Sequence, residues 1–163
     1  MEVVTLTDER LDGSVSLHRT PGALVAVSRL GPRFPRVPLH VHPRDAERIA
    51  VRRGALEVRV GRAWHVLRAG EELTVPAGVA HTFATREPVE WVAEFRPGGA
   101  HDELYEGLWR LAQRGLVSSR GFIAPWHAAP LAWRHFDDVR LARVPARLQR
   151  ALIRVVCSIP GRG

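Results

Sequence analysis

Three histidines and one glutamate, placed in two short segments, are the residues of this sequence best suited to bind a metal ion. His40 and His42 form a His-x-His pair, and Glu47 follows after four further residues. His81 lies in the second segment. Imidazole nitrogens and a carboxylate oxygen bind first-row divalent ions, and four such ligands leave coordination positions open. The sequence therefore predicts a metal centre that can accept a further ligand.

Strand periodicity should bring these four side chains toward one place. His40 and His42 lie two residues apart in the extended run VPLHVH, and side chains two apart on a strand project from the same face. A turn-like Pro-Arg-Asp leads into a returning strand that carries Glu47. A Pro-Ala-Gly turn leads into another strand that carries His81. Ligands from three strands converge only if the sheet curls and closes over them.

Short strand-like segments recur through residue 96, and each is bounded by glycine, proline or aspartate. The predicted strands are Ser14–His18, Ala23–Leu30, Val37–His42, Ala46–Val51, Leu56–Val60, Trp64–Leu67, Glu72–Val75, Ala80–Ala84 and Val89–Phe95. Many short strands separated by turn signals are typical of an all-β sandwich or barrel.

The two ligand-bearing segments resemble the two sequence motifs of the cupin superfamily. Residues 31–54 (GPRFPRVPLHVHPRDAERIAVRRG) contain the first motif and residues 70–85 (GEELTVPAGVAHTFAT) the second. The resemblance covers residues 20–98 and departs at Thr85, where the second motif often has asparagine. It implies a mainly β fold, in which residues 1–100 form a cupin-type antiparallel β-barrel or jelly roll. It also implies one divalent metal inside the barrel, held by the three histidines and the glutamate.

Residues 101–163 are predicted to be a helical extension packed on the barrel or on a dimer partner. Residues 102–114 have acidic side chains at their start and arginines at their end, which is typical of a helix. Residues 116–136 are predicted to be a loop, and residues 137–158 a last helix. In that helix two stripes recur at helical spacing, an apolar one (Leu141, Val144, Leu148, Leu152, Val155, Ile159) and a basic one (Arg143, Arg147, Arg150, Arg154).

The two stripes leave several interpretations open. The apolar stripe can cover the barrel or a dimer partner, with the arginines in solvent. Alternatively, the helix is a basic amphipathic helix that lies on an anionic membrane surface. Residues 109–163 hold ten arginines and two acidic residues, a charge that would also suit phosphates. The absence of a helix-turn-helix or RNA-binding signature argues against nucleic acid.

Aromatic residues near the predicted metal would line a cavity for a small, partly apolar ligand. The predicted substrate-binding residues are Phe34, Phe83, Trp91 and Phe95, for which the alternative is ordinary core packing. Tyr105, the only tyrosine, is either a proton donor near the mouth or a residue of the helix surface. The histidines without ligand spacing are predicted to be structural or exposed, namely His18, His65, His101, His127 and His135.

The predicted centre supports two classes of function. The first is a metal-dependent enzyme acting on a small organic molecule, and the resemblance points to cupin dioxygenases that use iron, manganese, nickel or copper. Glu47 would be the catalytic residue, staying bound or accepting a substrate proton. The same site, with zinc as a further option, would serve an isomerase, decarboxylase or lyase. The second class is a non-catalytic module that binds or senses a metal or a small molecule; a purely structural protein would bind no metal.

Composition narrows these classes. The chain has 163 residues and a net charge of +7, and it contains no lysine, which excludes lysine Schiff-base chemistry. Cys157 is the single cysteine, so there is no disulfide framework. The sequence shows no signal-peptide run and no apolar stretch of about 18 residues, which predicts a cytoplasmic protein. The resemblance further implies a homodimer.

Overall fold

The computed structural model describes residues 3–159, which form eleven strands and three helices. The strands are β1 (Val3–Asp8), β2 (Gly13–Thr20), β3 (Ala23–Leu30), β4 (His40–Val41), β5 (Ala46–Arg53), β6 (Ala55–Val60), β7 (Ala63–Arg68), β8 (Glu72–Val75), β9 (His81–Ala84), β10 (Val89–Arg96) and β11 (Arg140–Leu141). The helices are α1 (His101–Gln113), α2 (Pro125–Arg134) and α3 (Ala146–Cys157). None of the helices within this range is long and apolar enough to cross a membrane.

The strands form two antiparallel sheets that share one apolar core. The first sheet has the order β1-β2-β3-β10-β5-β8, and the second has the order β11-β4-β9-β6-β7. The core contains residues of both sheets, among them Leu24 and Ile49 from the first and Leu56 and Val58 from the second. The architecture is a jelly roll with C-terminal helices, as the sequence predicts.

Alternation of apolar and polar residues explains how β10 sits at the centre of the first sheet. Trp91, Ala93 and Phe95 are almost fully buried. Glu90 and Glu94 point the other way and pair with arginines of the neighbouring strands. Burying a large apolar side chain contributes about 1.5–3 kcal/mol, so this strand is a major source of the stability of the barrel.

All nine predicted strands correspond to observed ones, with two differences. The sequence does not predict β1. This edge strand has exposed and half-buried side chains except at Asp8, so its sequence shows only weak alternation of apolar and polar residues. The predicted strand Val37–His42 shrinks to the two residues of β4. Pro38 and Pro43 bracket it, and proline cannot donate to the hydrogen-bond ladder.

The C-terminal region differs more from the prediction. Helix α1 matches the predicted helix 102–114, but the predicted loop 116–136 contains α2. Pro125 occupies the first turn of α2, where a missing N–H costs nothing, so this proline begins a helix instead of preventing one. The predicted division into 1–100 and 101–163 also includes residues 1–2 and 160–163, which lie outside the described residues.

The last helix is shorter than the predicted span 137–158, because α3 begins only at Ala146. Arg140 and Leu141 pair with β4 instead of joining the helix. Arg143 has a φ of 67°, a left-handed conformation that interrupts any helix. Pro145 then caps the N-terminus of α3.

The apolar stripe of α3 does not cover the barrel, which corrects one of the predicted interpretations. Helix α3 packs against α2, and Gln149 is the one buried residue between Ala146 and Cys157. The stripe residues that remain 46–60% exposed are Leu141, Leu148, Leu152, Val155 and Ile159. The dimer and membrane interpretations of this surface stay predictions.

Candidate metal centre

The two sheets contribute different ligands to the predicted centre. His40 in β4 lies directly opposite His81 in β9, so two imidazoles are neighbours on the second sheet. His42 follows immediately after β4, and its carbonyl accepts a hydrogen bond from the Gly78 N–H at 2.8 Å, which ties the two motifs together. Glu47 comes from β5 in the first sheet. The cluster therefore bridges the two layers of the jelly roll.

The four side chains form one buried cluster. His40, His42, Glu47 and His81 are between 1% and 8% exposed, and one ligand atom of each lies within 4.8 Å of the others. Glu47 Oε2 is 2.8 Å from His81 Nε2 and 3.7 Å from His42 Nε2. The convergence that the sequence predicts is therefore present in the structure.

Backbone carbonyl groups orient all three imidazole rings. The Nδ1 atoms lie against carbonyl oxygens, His40 against Pro38 at 2.8 Å, His42 against Asp138 at 2.9 Å and His81 against Val79 at 2.9 Å. A neutral imidazole that donates from Nδ1 keeps a lone pair on Nε2. Such outer partners fix the tautomer and the ring orientation of metal-binding histidines. Each ring thus has its Nε2 available for a metal.

The polar atoms at the centre fit a divalent cation. Glu47 Oε2 and His81 Nε2 are buried 2.8 Å from each other, and neither has a further hydrogen-bond partner within residues 3–159. Burying a carboxylate with so few partners is costly. A cation bound between the carboxylate and the ring nitrogens would satisfy both atoms. The donor set, nitrogen and carboxylate oxygen, suits iron, manganese, nickel, copper or zinc and does not select among them.

Electrostatics holds His40 and His42 in their neutral, metal-binding form at pH 7. Burial, helped by the neighbouring imidazoles, lowers the pKa of His40 to about 3. Burial likewise lowers the pKa of His42 to about 4, although the charge of Glu47 opposes the shift. Both rings are therefore neutral at pH 7 and need not release a proton to bind a metal.

Glu47 and His81 form a coupled pair in the metal-free protein. Burial raises the pKa of Glu47, but the hydrogen bond and charge of His81, with the other two imidazoles, outweigh burial and lower it overall. Burial lowers the pKa of His81, and Glu47 reverses this effect, so that its pKa is raised overall. The carboxylate is therefore favoured in its ionised form, and His81 holds a proton more tightly than His40 or His42 does.

The structure brings one of the predicted substrate-binding residues against the cluster. The Phe95 ring contacts the His42 ring edge-on, with centroids 5.1 Å apart. Phe83 and Trp91 pack on each other at 4.7 Å inside the core, and Phe34 packs half-buried against the same core. Contact with a substrate stays a prediction for all four residues.

Two residues of α1 lie closer to the centre than the sequence suggests. Tyr105 is packed against the core beside Phe95, with ring centroids 6.0 Å apart, instead of lying on the outer helix surface. Burial and then the charge of Glu47 raise the pKa of Tyr105. His101 is fully buried, and its Nε2 lies 2.9 Å from His42 Nδ1. No spacing rule reveals this contact, because the two histidines are 59 residues apart.

A second group of metal-ligating side chains, Asp45, His101 and Asp138, lies beside the first. Its polar atoms are already engaged by protein groups. Asp45 Oδ1 accepts a hydrogen bond from the Gly98 N–H at 2.6 Å, and Asp138 Oδ2 lies 3.1 Å from His135 Nδ1. We therefore interpret this group as a hydrogen-bond network that supports the first cluster.

Comparisons with known proteins agree with this geometry. A family model for the cupin domain matches residues 26–95. The structure of KdgF from Halomonas sp. superposes with a TM-score of 0.54 at 20% identity, covering 60% of this chain and 91% of that one. An RmlC-like cupin from Shewanella frigidimarina NCIMB 400 gives 0.52 at 18% identity, covering 58% and 84%. These identities show the fold alone, and no curated protein matches the sequence. The family match, the jelly roll and the two motifs show that residues 26–95 form a domain of the cupin superfamily.

Proposed function

We propose that this cupin binds one divalent metal ion and uses it as an enzyme on a small organic molecule, with dioxygenase-like chemistry as the leading class. The observation that carries the proposal is the convergence of three imidazoles and the Glu47 carboxylate in one buried cluster. In that cluster Glu47 Oε2 and His81 Nε2 lack other partners among the described residues. Four protein ligands on a six-coordinate ion leave two positions for a substrate and a second reactant.

A metal held by these residues would supply Lewis acidity and, if it is redox-active, electron transfer. His40 and His42 contribute neutral donors, since their pKa values are far below 7. Glu47 contributes the negative charge. Because the pKa of Glu47 is lowered, it accepts a proton only from a substrate group that is already acidified. In this proposal Glu47 is first a ligand and only secondarily a base.

The surroundings of the cluster favour a small and partly apolar substrate. Phe95 covers one side of His42, and Phe83 and Trp91 fill the core of the barrel. Aromatic walls exclude water and strengthen the electrostatic interactions between the ligands and a bound ion.

A second candidate function is a non-catalytic module that binds or senses a metal or a small molecule. The near-complete burial of the four ligands favours it. Phe95 packs on His42, and His101 and Tyr105 pack on Phe95, so that aromatic rings cover that side of the cluster. The same donor set would then hold a metal without admitting a substrate to it.

Elemental analysis of the untagged protein before and after chelation tests the proposal. We expect near-stoichiometric metal that His40→Ala and His81→Ala each largely lose while the barrel stays folded. His65→Ala, on the exposed face of β7, is the matched control and should keep the metal. Iron, manganese, nickel or copper, with oxygen consumption on phenolic or keto-acid substrates, would support an oxygenase. Zinc without turnover would favour the second candidate. Failure of reconstituted wild type to bind any metal would refute the metal-dependent enzyme and the metal-binding form of the second candidate.

A further inference from the structure

We infer that His101 is a positioning residue that orients the ligand His42, so that the C-terminal extension forms part of the metal centre. The inference rests on the proposed metal site and goes beyond it, because His101 lies outside both sequence motifs. His101 is the first residue of α1. Its Nε2 lies 2.9 Å from His42 Nδ1, and both side chains are buried.

The direction of this hydrogen bond follows from the other partners of the two rings. His101 Nδ1 lies 3.1 Å from the carbonyl oxygen of Gly98, which can only accept a hydrogen bond. His101 therefore carries its proton on Nδ1 and presents a lone pair on Nε2. His42 Nδ1–H then donates to that lone pair and to the Asp138 carbonyl at 2.9 Å. The His42 Nε2 atom is left free to face the other ligands.

His42 differs from the other two histidines in where its support comes from. The Nδ1 atoms of His40 and His81 find carbonyls only two residues earlier in the chain. The partners of His42 are 59 and 96 residues away. Local chain geometry thus orients two of the imidazoles, whereas His42 depends on α1 and on the segment after α2.

His101 is itself held rigidly, as a positioning residue must be. Its ring stacks on Phe95, with centroids 4.4 Å apart and an interplanar angle of 17°. Its hydrogen-bond acceptor is in turn fixed, since the Gly98 N–H donates to Asp45 Oδ1 at 2.6 Å. Gly98 has a φ of 98°, and a Cβ there would lie 2.7 Å from the Leu24 nitrogen. Only glycine fits this turn, and the turn places His101 beside His42.

The same extension also reaches the strand of the ligand His40. Leu141 of β11 pairs with His40, and the Ala142 N–H donates to the Leu39 carbonyl at 2.9 Å. From α3, the Gln149 side chain holds both backbone groups of Leu141, at 2.8 and 3.1 Å. The extension therefore contacts the backbone beside one ligand and the ring of another.

The test uses the full-length protein with His101→Phe, which keeps the ring stack but removes the acceptor. In the metal-free protein, long-range ¹⁵N–¹H spectra of the imidazoles should show the Nδ1–H tautomer of His42 in both proteins, because the Asp138 carbonyl still accepts its proton. The Nδ1–H resonance of His42 should nevertheless shift in the variant, which has lost the second acceptor. His101→Gln, whose amide oxygen can accept, should restore the wild-type resonance. This readout does not depend on metal binding, so it decides the inference even if the proposed function fails.

Metal affinity gives the second readout. Loss of an outer partner of a metal ligand typically weakens binding about 10–100-fold, and we expect His101→Phe to fall in that range in a chelator competition. The Cu(II) electron paramagnetic resonance spectrum should change with it. His18→Phe, a histidine of β2 on the other sheet, is the control and should change neither. An unchanged Nδ1–H resonance of His42 in a folded His101→Phe protein would overturn the inference.

Discussion

Acidification should destabilise the metal-free protein through His40 and His42. The pKa of His40 is lowered to about 3 and that of His42 to about 4, in both cases mainly by burial. In the unfolded chain both return to about 6.5. Below pH 6.5 the unfolded state therefore binds protons that the folded state does not. The two neutral rings make their full contribution to stability above about pH 6.5. This contribution is lost as the pH falls toward 4 for His42 and toward 3 for His40.

The magnitude follows from these values. Below pH 6.5, protonation of each imidazole stabilises the unfolded state by about 1.4 kcal/mol per pH unit. Each histidine therefore lowers the free energy of unfolding by about 2 kcal/mol between pH 7 and pH 5. Together they remove about 4 kcal/mol, a large share of the 5–15 kcal/mol typical of a domain. His81 acts in the opposite sense, because its pKa is raised. Its contribution is present below pH 6.5 and is lost as the pH rises.

Comparison of wild type with His40→Gln separates the effect of protonating His40 from that of His81. Urea unfolding of the chelated protein at pH 7 and pH 5 gives the loss of stability for wild type and for His40→Gln. The loss should be smaller in His40→Gln by about 2 kcal/mol, since one titrating ring is gone. His65→Gln, on the exposed face of β7, controls for removal of an imidazole elsewhere. Equal losses in wild type and His40→Gln would refute the reasoning.

Two further predictions concern the scaffold. Gly54→Ala should destabilise the protein by several kcal/mol, because a Cβ at this residue would lie 2.2 Å from the Pro88 carbonyl oxygen. Gly61 has a similar positive φ, but a Cβ there would meet no atom within 4 Å, so Gly61→Ala should lower the free energy of unfolding by only about 1–2 kcal/mol. Equal shifts of the melting temperature in the two variants would contradict this expectation. Gln149→Leu should cost about 1–3 kcal/mol in urea unfolding, because it leaves backbone groups of Leu141 unpaired. An unchanged midpoint would show that Gln149 does not hold β11.

The ligand cluster could be predicted because its determinants are local. His-x-His on an extended run, a turn and a returning strand place His40, His42 and Glu47 on adjacent chain segments whatever the remainder of the fold does. His81 adds one long-range pairing, the β4–β9 contact, which the second motif signals through its Pro-Ala-Gly turn. Two short motifs thus carry enough information to locate a convergence point, although they do not identify the metal.

Helix α2 and strand β11 could not be predicted, because both depend on contacts between distant segments of the chain. Helix α2 forms where prolines and aromatic residues suggest a loop, since its stability comes from packing against α3 and α1 more than from propensity. Strand β11 has only two residues and exists because it pairs with β4. A two-residue strand has no periodicity from which it could be recognised.

The dependence of His42 on His101 shows why a motif alone is an incomplete description of this site. The family model ends at residue 95, yet the ring nitrogen of His42 is oriented by groups at residues 101 and 138. His40 and His81 would keep their orientation in any barrel that folds, because their acceptors lie only two residues earlier in the chain. His42 keeps its orientation only while the extension is packed in place. We therefore expect disturbances of α1 to weaken metal binding through one ligand of four, and not through collapse of the barrel.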